Sequence, residues 1–195
     1  LVLFGVYADY DSEGFRYFGP TTGVGPTVLL PIAVAFKLFG IGLLQARLVM
    51  AVYLVLAGLA VYSLSRHLMN ERAALLAGVL FVATPGIGTL EFGRQVLGEV
   101  PGFFFLCLGL TVLTATQKAH SYRRLILAGV LLGLAAVTKY QLLVVILPGL
   151  VLGALPSVWR GSRTLNVFVI PMLATLVVFG LWQVCFMAYL GPSSF

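Results

Sequence analysis

Charged residues are scarce in this sequence. Only 9% of its 195 residues are charged and Asp and Glu together number 6, whereas 61% of the residues are apolar. A mean hydropathy of +1.07 is too high for a water-soluble domain. The formal net charge of +6 is not gathered into a basic stripe or a basic helix, so nucleic acid is not an expected partner.

Cysteine and the common catalytic signatures are also scarce. Cys107 and Cys185 lie inside apolar runs, so each is expected to be a small packing residue rather than a disulfide partner or metal ligand. The sequence contains no GxSxG element, no Walker loop and no pair of histidines at metal-binding spacing. It begins at Leu1 without a signal-peptide pattern, and we expect it to be a fragment of a longer membrane protein.

Long apolar runs dominate what is present. A bilayer core of about 30 Å needs roughly 20 apolar residues as helix, and backbone polar groups in lipid must be paired within the segment. The runs therefore predict an all-α fold: a polytopic membrane helical bundle of about six spans that forms a single membrane domain over 1–195. The predicted spans are 43–65, 73–90, 100–117, 123–138, 140–156 and 166–190.

Basic residues gather in short turns between these spans and set the orientation, because cytoplasmic loops carry an excess of Lys and Arg. The residues of the turns expected in the cytoplasm are Arg66, His67 and Arg72; Lys118, His120, Arg123 and Arg124; and Trp159, Arg160 and Arg163. The alternate segments 84–99, 138–141 and 190–195 then lie on the extracytoplasmic face of the cell membrane.

The apolar stretch 26–39 is short for a span and carries Lys37. We expect it to be an interfacial helix on the outer leaflet, which makes 1–25 an extracytoplasmic loop and 43–190 the transmembrane bundle. The alternative is a short, tilted span, which would move the N-terminal acids into the cytoplasm. On the first interpretation most carboxylates share the outer face, namely Asp9, Asp11, Glu13, Glu91 and Glu99.

Polar residues in the outer segments form the first candidate sites. Glu91, Arg94 and Glu99 precede a helix that begins near Pro101. Glu99 could simply cap that helix, with Arg94 as an ion-pair partner. Alternatively, Glu99 contacts a polar acceptor or a metal while Arg94 binds a phosphate as a bidentate fork.

The second candidate is the turn that contains Lys139, Tyr140 and Gln141. Lys139 could extend its ammonium group to the membrane surface from an apolar helix, or bind a lipid-linked phosphate at the outer interface. The acids Asp9, Asp11 and Glu13 form a third group, which could be a solvated loop. Their spacing resembles that of metal ligands, but the glycine and the distal Glu of a calcium loop are missing.

In order, these segments resemble the GT-C type of membrane glycosyltransferase, in the branch that includes the dolichyl-phosphate-mannose protein mannosyltransferases and the aminoarabinose–lipid A transferases. Thr22 to Thr27, with Leu38-Phe39-Gly40 and Ala46-Arg47-Leu48, is similar to the family's outer-loop pattern. Glu91 to Glu99 falls where the family has its second outer loop. Gly129, Gly133 and Leu134, followed by Thr138-Lys139, are similar to its "G…Gl…tK" helix.

The resemblance implies sugar transfer from a polyprenyl-phosphate donor to an acceptor hydroxyl at the extracytoplasmic face. Lys139 and Arg94 would contact the donor phosphate, Glu99, Asp11 or Glu13 would act as the catalytic carboxylate, and Glu91, Tyr140 and Gln141 would line the acceptor side. The acceptor would be a protein, a lipid or a glycan. A divalent metal is left open. The family's Asp-Glu pair is not present here, which leaves open whether the catalytic acid lies upstream.

Two other classes fit the composition: a membrane transporter and a non-catalytic assembly subunit. A transporter would need charges near mid-membrane and repeat-related broken helices, and neither is visible in the sequence. An assembly subunit would not bring Glu99, Arg94 and Lys139 together. The sequence therefore favours a glycosyltransferase whose outer-face charges line one cavity.

Overall fold

The computed structural model describes residues 8–11, 14–17, 24–83, 96–116, 121–160 and 162–190. Within these ranges the chain is helical apart from one hairpin and short connections. The helices are α1 (Pro26–Phe39), α2 (Leu43–Leu68), α3 (Glu71–Ala83), α4 (Glu99–Thr116), α5 (Tyr122–Thr138), α6 (Leu143–Arg160) and α7 (Ser162–Leu190), with a 3-10 turn at Tyr140–Leu142. Helix is the expected form because every backbone N–H and C=O in lipid needs a partner nearby in the chain.

The hairpin lies in the segment expected to be an extracytoplasmic loop. Strands β1 (Ala8–Asp11) and β2 (Gly14–Tyr17) pair antiparallel, with Asp9 opposite Arg16. The helical class predicted from the apolar runs therefore describes the bundle, while the segment before it pairs its backbone groups as a hairpin instead.

Three helical segments of the described chain are long and apolar enough to cross a membrane: Leu43–Leu68, Glu99–Thr116 and Leu165–Ala188. They coincide with three of the predicted spans. Helix α3 has 13 residues and α5 has 17, which gives lengths of about 20 and 25 Å. Every predicted span falls on helix over its described part, but the count of six stays a prediction.

Helix α1 has the bounds predicted for the interfacial helix. Its buried residues Val28 and Ile32 pack against Ala46 and Met50 of α2, while its opposite side exposes large apolar side chains. Gly40, with a φ of 82°, follows α1, and this left-handed backbone conformation is one that glycine adopts without strain. Whether α1 lies in the interface or crosses it stays a prediction.

Helix α5 lies between α4 and α7 and forms the centre of the bundle. Gly129 and Gly133 face α7 so closely that an added Cβ would come within 2.5 Å of the Pro171 carbonyl oxygen and 2.6 Å of the Val178 Cβ. Small residues four apart are the usual device by which membrane helices approach one another. Close packing against α7 therefore fixes α5, and with it the residues at its ends.

Candidate functional site

Glu99 and Lys139 lie at the same end of the neighbouring helices α4 and α5. Glu99 is the first residue of α4, whereas Lys139 follows the last residue of α5 as its C-cap. The two helices can approach closely here because α4 has Gly102 at the contact: an added Cβ would lie 3.4 Å from the Lys139 Cβ and 2.9 Å from Leu142 Cδ1. The antiparallel arrangement thus brings two residues together that are 40 positions apart.

These two side chains form an ion pair in which Lys139 Nζ donates to Glu99 Oε1. The side chains of Lys139 and Glu99 are 17% and 36% exposed, respectively, so the pair is partly shielded from water. A carboxylate at a helix N-terminus and an ammonium at a helix C-terminus are both favoured by the helix dipoles. This is the single ion pair among the described residues.

The second carboxylate oxygen of Glu99 differs from the first in its hydrogen bonding. Glu99 Oε2 is buried and has no hydrogen-bond partner among the described residues. A buried acceptor without a partner is costly. The atom is therefore available to accept a hydrogen bond from a molecule that enters the site.

A polar network joins the start of α1 to the end of α5, directly beside Lys139. The Gly25 N–H donates to the Thr138 carbonyl oxygen over 3.0 Å. The hydroxyl groups of Thr27 and Thr138 lie 2.6 Å apart, and Thr138 Oγ1 donates to the Leu134 carbonyl oxygen over 2.6 Å. A hydroxyl has one proton, so Thr27 is the donor to Thr138.

Helix α2 extends this network through Tyr53. Pro31 has no backbone N–H, so the Thr27 carbonyl, four residues earlier, loses its helical donor. The Tyr53 hydroxyl donates to that carbonyl oxygen over 2.6 Å. A tyrosine in an apolar span thus satisfies the acceptor that a proline in the neighbouring helix leaves open.

An apolar cleft of about 610 Å³ lies beside this network, between α1, α5 and α7. Thr27 and Tyr53 contribute to its lining together with apolar residues such as Val137 and Trp182. The polar network therefore adjoins Lys139 through Thr138 and borders the apolar cleft through Thr27 and Tyr53.

The predicted site residues divide into four groups. Glu99 and Lys139 are in contact. Tyr140 and Gln141 lie exposed in the 3-10 turn that follows. Asp11 ends strand β1, and the remaining predicted residues, Glu13, Glu91 and Arg94, lie outside the described residues.

Three residues of the network were not predicted as site residues: Thr27, Tyr53 and Thr138. The available signals were a proline inside α1, a tyrosine inside an apolar span and a threonine directly before Lys139. None of them identifies its partner without the tertiary structure. As for metal ligands, the described part of the chain holds no group of three or more His, Cys, Asp or Glu residues placed to bind an ion.

A bundle of apolar helices, with its one described ion pair at the ends of two of them, defines a multi-pass membrane protein that carries a polar site at one end of the bundle. Comparison with known families makes this more specific. The chain belongs to the dolichyl-phosphate-mannose-protein mannosyltransferase family, whose model matches residues 23–186. The family confirms the resemblance to mannosyltransferase-like glycosyltransferases of the GT-C type. No curated protein and no solved structure matched the chain.

Proposed function

We propose that this chain forms part of an enzyme that transfers a sugar from a polyprenyl-phosphate donor to an acceptor hydroxyl at the extracytoplasmic face. The observation that carries the proposal is the Glu99–Lys139 ion pair at one end of α4 and α5. Family membership supplies the class of reaction. A donor anchored by its lipid chain would present its phosphate at the membrane surface, where an ammonium group at a helix end can reach it.

Lys139 contacts the donor phosphate in this proposal. An ammonium group has three N–H donors, and Glu99 accepts one of them. The other N–H groups can donate to phosphate oxygens while Glu99 keeps the side chain in place. Positive charge here stabilises the phosphate as negative charge develops on it during departure. Arg94 is proposed as a second phosphate contact from the preceding outer segment.

Glu99 is the proposed general base, because its Oε2 is buried and lacks a partner among the described residues. The acceptor oxygen forms a bond to the sugar's anomeric carbon as that carbon's bond to the phosphate oxygen breaks. The electron pair of the broken bond leaves with the polyprenyl phosphate, and the acceptor proton passes to the carboxylate. Asp11 and Glu13 are alternative bases, and Glu91, Tyr140 and Gln141 are proposed to face the acceptor.

A transporter is less consistent with the described spans. The charged residues of Leu43–Leu68, Arg47 and Arg66, lie within five residues of its ends, and Glu99–Thr116 carries its only charge at its first residue. Transport across the bilayer would need polar groups near mid-membrane. A reaction at one membrane face needs them at one end of the bundle.

Transfer from a defined donor tests the proposal. We would reconstitute the full-length protein in proteoliposomes with polyprenyl-phosphate mannose, labelled in the sugar, and a membrane extract as the source of acceptors. Lys139→Ala should lower the rate of label transfer by about a hundredfold, the loss typical of removing one group that stabilises developing charge. Glu99→Gln, which keeps the shape but cannot take a proton, should also lose transfer.

Lys37→Ala and Glu71→Gln are the matched controls, because both side chains are charged and exposed and neither forms an ion pair with Glu99 or Lys139. They should transfer label at the wild-type rate. Full transfer in both Lys139→Ala and Glu99→Gln would contradict the proposed site. If the wild-type protein transfers no label from this donor, donors with other sugars are tested next. Absence of transfer from every donor would contradict the enzymatic assignment.

A further inference from the structure

We infer that Thr27 and Thr138 are positioning residues that set the direction of Lys139. The inference rests on the proposed function, since it concerns how the phosphate-binding lysine is held. In this inference Thr27 and Thr138 act on the donor only through Lys139, and the polar network between α1 and α5 thereby gains a function.

The peptide group between Thr138 and Lys139 is held at both of its polar atoms. Its carbonyl oxygen accepts from the Gly25 N–H over 3.0 Å, and its N–H donates to the Ala135 carbonyl oxygen over 2.9 Å. A change in the Thr138 ψ, which turns this peptide plane, would move the Lys139 Cα and its whole side chain. The bond to the Ala135 carbonyl is the last i→i−4 bond of α5, but Lys139 is already extended, at φ −142° and ψ 101°. The Leu142 N–H donates to the Lys139 carbonyl oxygen, so the Thr138 carbonyl takes its hydrogen bond from Gly25 instead of from a helical donor.

The threonine side chains supply a second constraint on the same point. Thr138 is 1% exposed, and its hydroxyl lies between the Leu134 carbonyl and the Thr27 hydroxyl. Thr27 is held in turn by Tyr53, which donates to its carbonyl oxygen over 2.6 Å. Thr138 is therefore bonded directly to α1 and, through Thr27, linked to α2.

The segment before α1 and the end of α5 are packed too closely to adopt another arrangement. An added Cβ at Gly25 would lie 2.0 Å from the Val137 carbonyl oxygen, so the segment before α1 lies directly against the last turn of α5. A long lysine side chain amplifies any tilt at its base. Loss of the link should therefore move the ammonium group relative to both Glu99 and a bound phosphate, with little change in the rest of the bundle.

Thr138→Val tests the inference, because it replaces the hydroxyl by a methyl group of similar size. The measurement is binding of undecaprenyl phosphate and of undecaprenol to the full-length protein in nanodiscs. These two probes differ only in the phosphate group. Thr138→Val should weaken undecaprenyl phosphate binding about fivefold, the scale of one lost hydrogen bond, and leave undecaprenol binding unchanged. Thr138→Ser, which keeps the hydroxyl, should keep the wild-type selectivity for phosphate.

Thr116→Val is the matched control. Thr116 is also fully buried at a helix end, and its hydroxyl donates to the carbonyl four residues earlier over 2.6 Å. No hydrogen bond from its side chain to another helix is present among the described residues. Thr116→Val should therefore cost similar stability without changing the selectivity for phosphate.

Tyr53→Phe provides an independent arm in case Thr138→Val folds poorly. It removes only the hydroxyl that holds Thr27 and should weaken phosphate binding about threefold. If Lys139→Ala abolishes the preference for undecaprenyl phosphate but Thr138→Val and Tyr53→Phe both keep it, the positioning inference is wrong and the proposed function stands. If Lys139→Ala itself keeps the preference, both are wrong.

Discussion

The charged side chains at the two ends of α5 lie in different environments. At one end Lys139 is mostly buried and paired with Glu99, and Thr138 beside it is held by two hydrogen bonds from the start of α1. At the other end Arg123 and Arg124 are exposed, and neither forms an ion pair within the described part of the chain.

This difference separates two functions of positive charge in a membrane protein. Arginines in a cytoplasmic turn orient the chain, and for that they need only water or lipid headgroups around them. A lysine that is drawn into the bundle loses hydration, and a partner must compensate for that loss. Burial with a partner, rather than charge alone, therefore distinguishes the residue that we assign to a site from those that we assign to topology.

The assignment of one end of α5 to a site and the other to topology would fail if both ends lay on the same side of the membrane. In a variant without Cys107 and Cys185, Gln141→Cys should react with an impermeant maleimide added outside intact cells, because Gln141 is exposed in the predicted outer turn. Arg124→Cys should react only after the cells are opened, since about 25 Å of helix separates the two positions.

A permeant maleimide should label both variants and so controls for accessibility. Labelling of both positions from outside would overturn the predicted orientation, and with it the extracytoplasmic site.

The middle of α5 offers a second test, on the packing that holds its two ends in place. Gly129→Ala would bring a Cβ within 2.5 Å of the Pro171 carbonyl oxygen and 2.6 Å of Ala174 Cβ. Because the obstacle is partly backbone, we expect a loss of about 1–3 kcal/mol in the free energy of unfolding. Titration of the full-length protein with SDS from mild detergent measures it.

Gly180→Ala on α7 is the matched substitution, since an added Cβ there meets no atom within 4 Å. It should leave stability unchanged or raise it slightly, because alanine favours helix over glycine. Equal losses in the two variants would mean that helix propensity, and not the close contact between α5 and α7, governs the effect.

Much of the scaffold could be predicted from the sequence. Apolar runs and basic turns predicted where the helices lie, and the bounds of 26–39 agree with those of α1. The same topology places the start of α4 and the end of α5 at one face, which is why Glu99 and Lys139 could be proposed together before their contact was known. Alternation of helices across a membrane is a strong constraint, so few arrangements remain once the turns are assigned.

The polar network could not be predicted in the same way. Its first cause is local, since Pro31 removes a donor from the Thr27 carbonyl. Its partner, Tyr53, is 26 positions away in the chain, and Thr27 and Thr138 are separated by 111. Such contacts depend on the rotation of each helix about its axis, and α2 and α4 are apolar around most of their circumference, so their patterns do not specify that rotation.

The smallest expected effect concerns two caps on the predicted cytoplasmic face. The Ala73 N–H donates to Asn70 Oδ1 over 2.9 Å and so caps α3, whereas the N-cap Ser121 of α5 makes no side-chain capping bond. Asn70→Ala should therefore cost about 1 kcal/mol of unfolding free energy. Ser121→Ala should change it by less than about 0.5 kcal/mol. Both are measured in the SDS titration used for Gly129→Ala. A loss at Ser121 as large as that at Asn70 would show that the basic end of α5 is also held by polar contacts, and burial with a partner would then no longer distinguish the two ends.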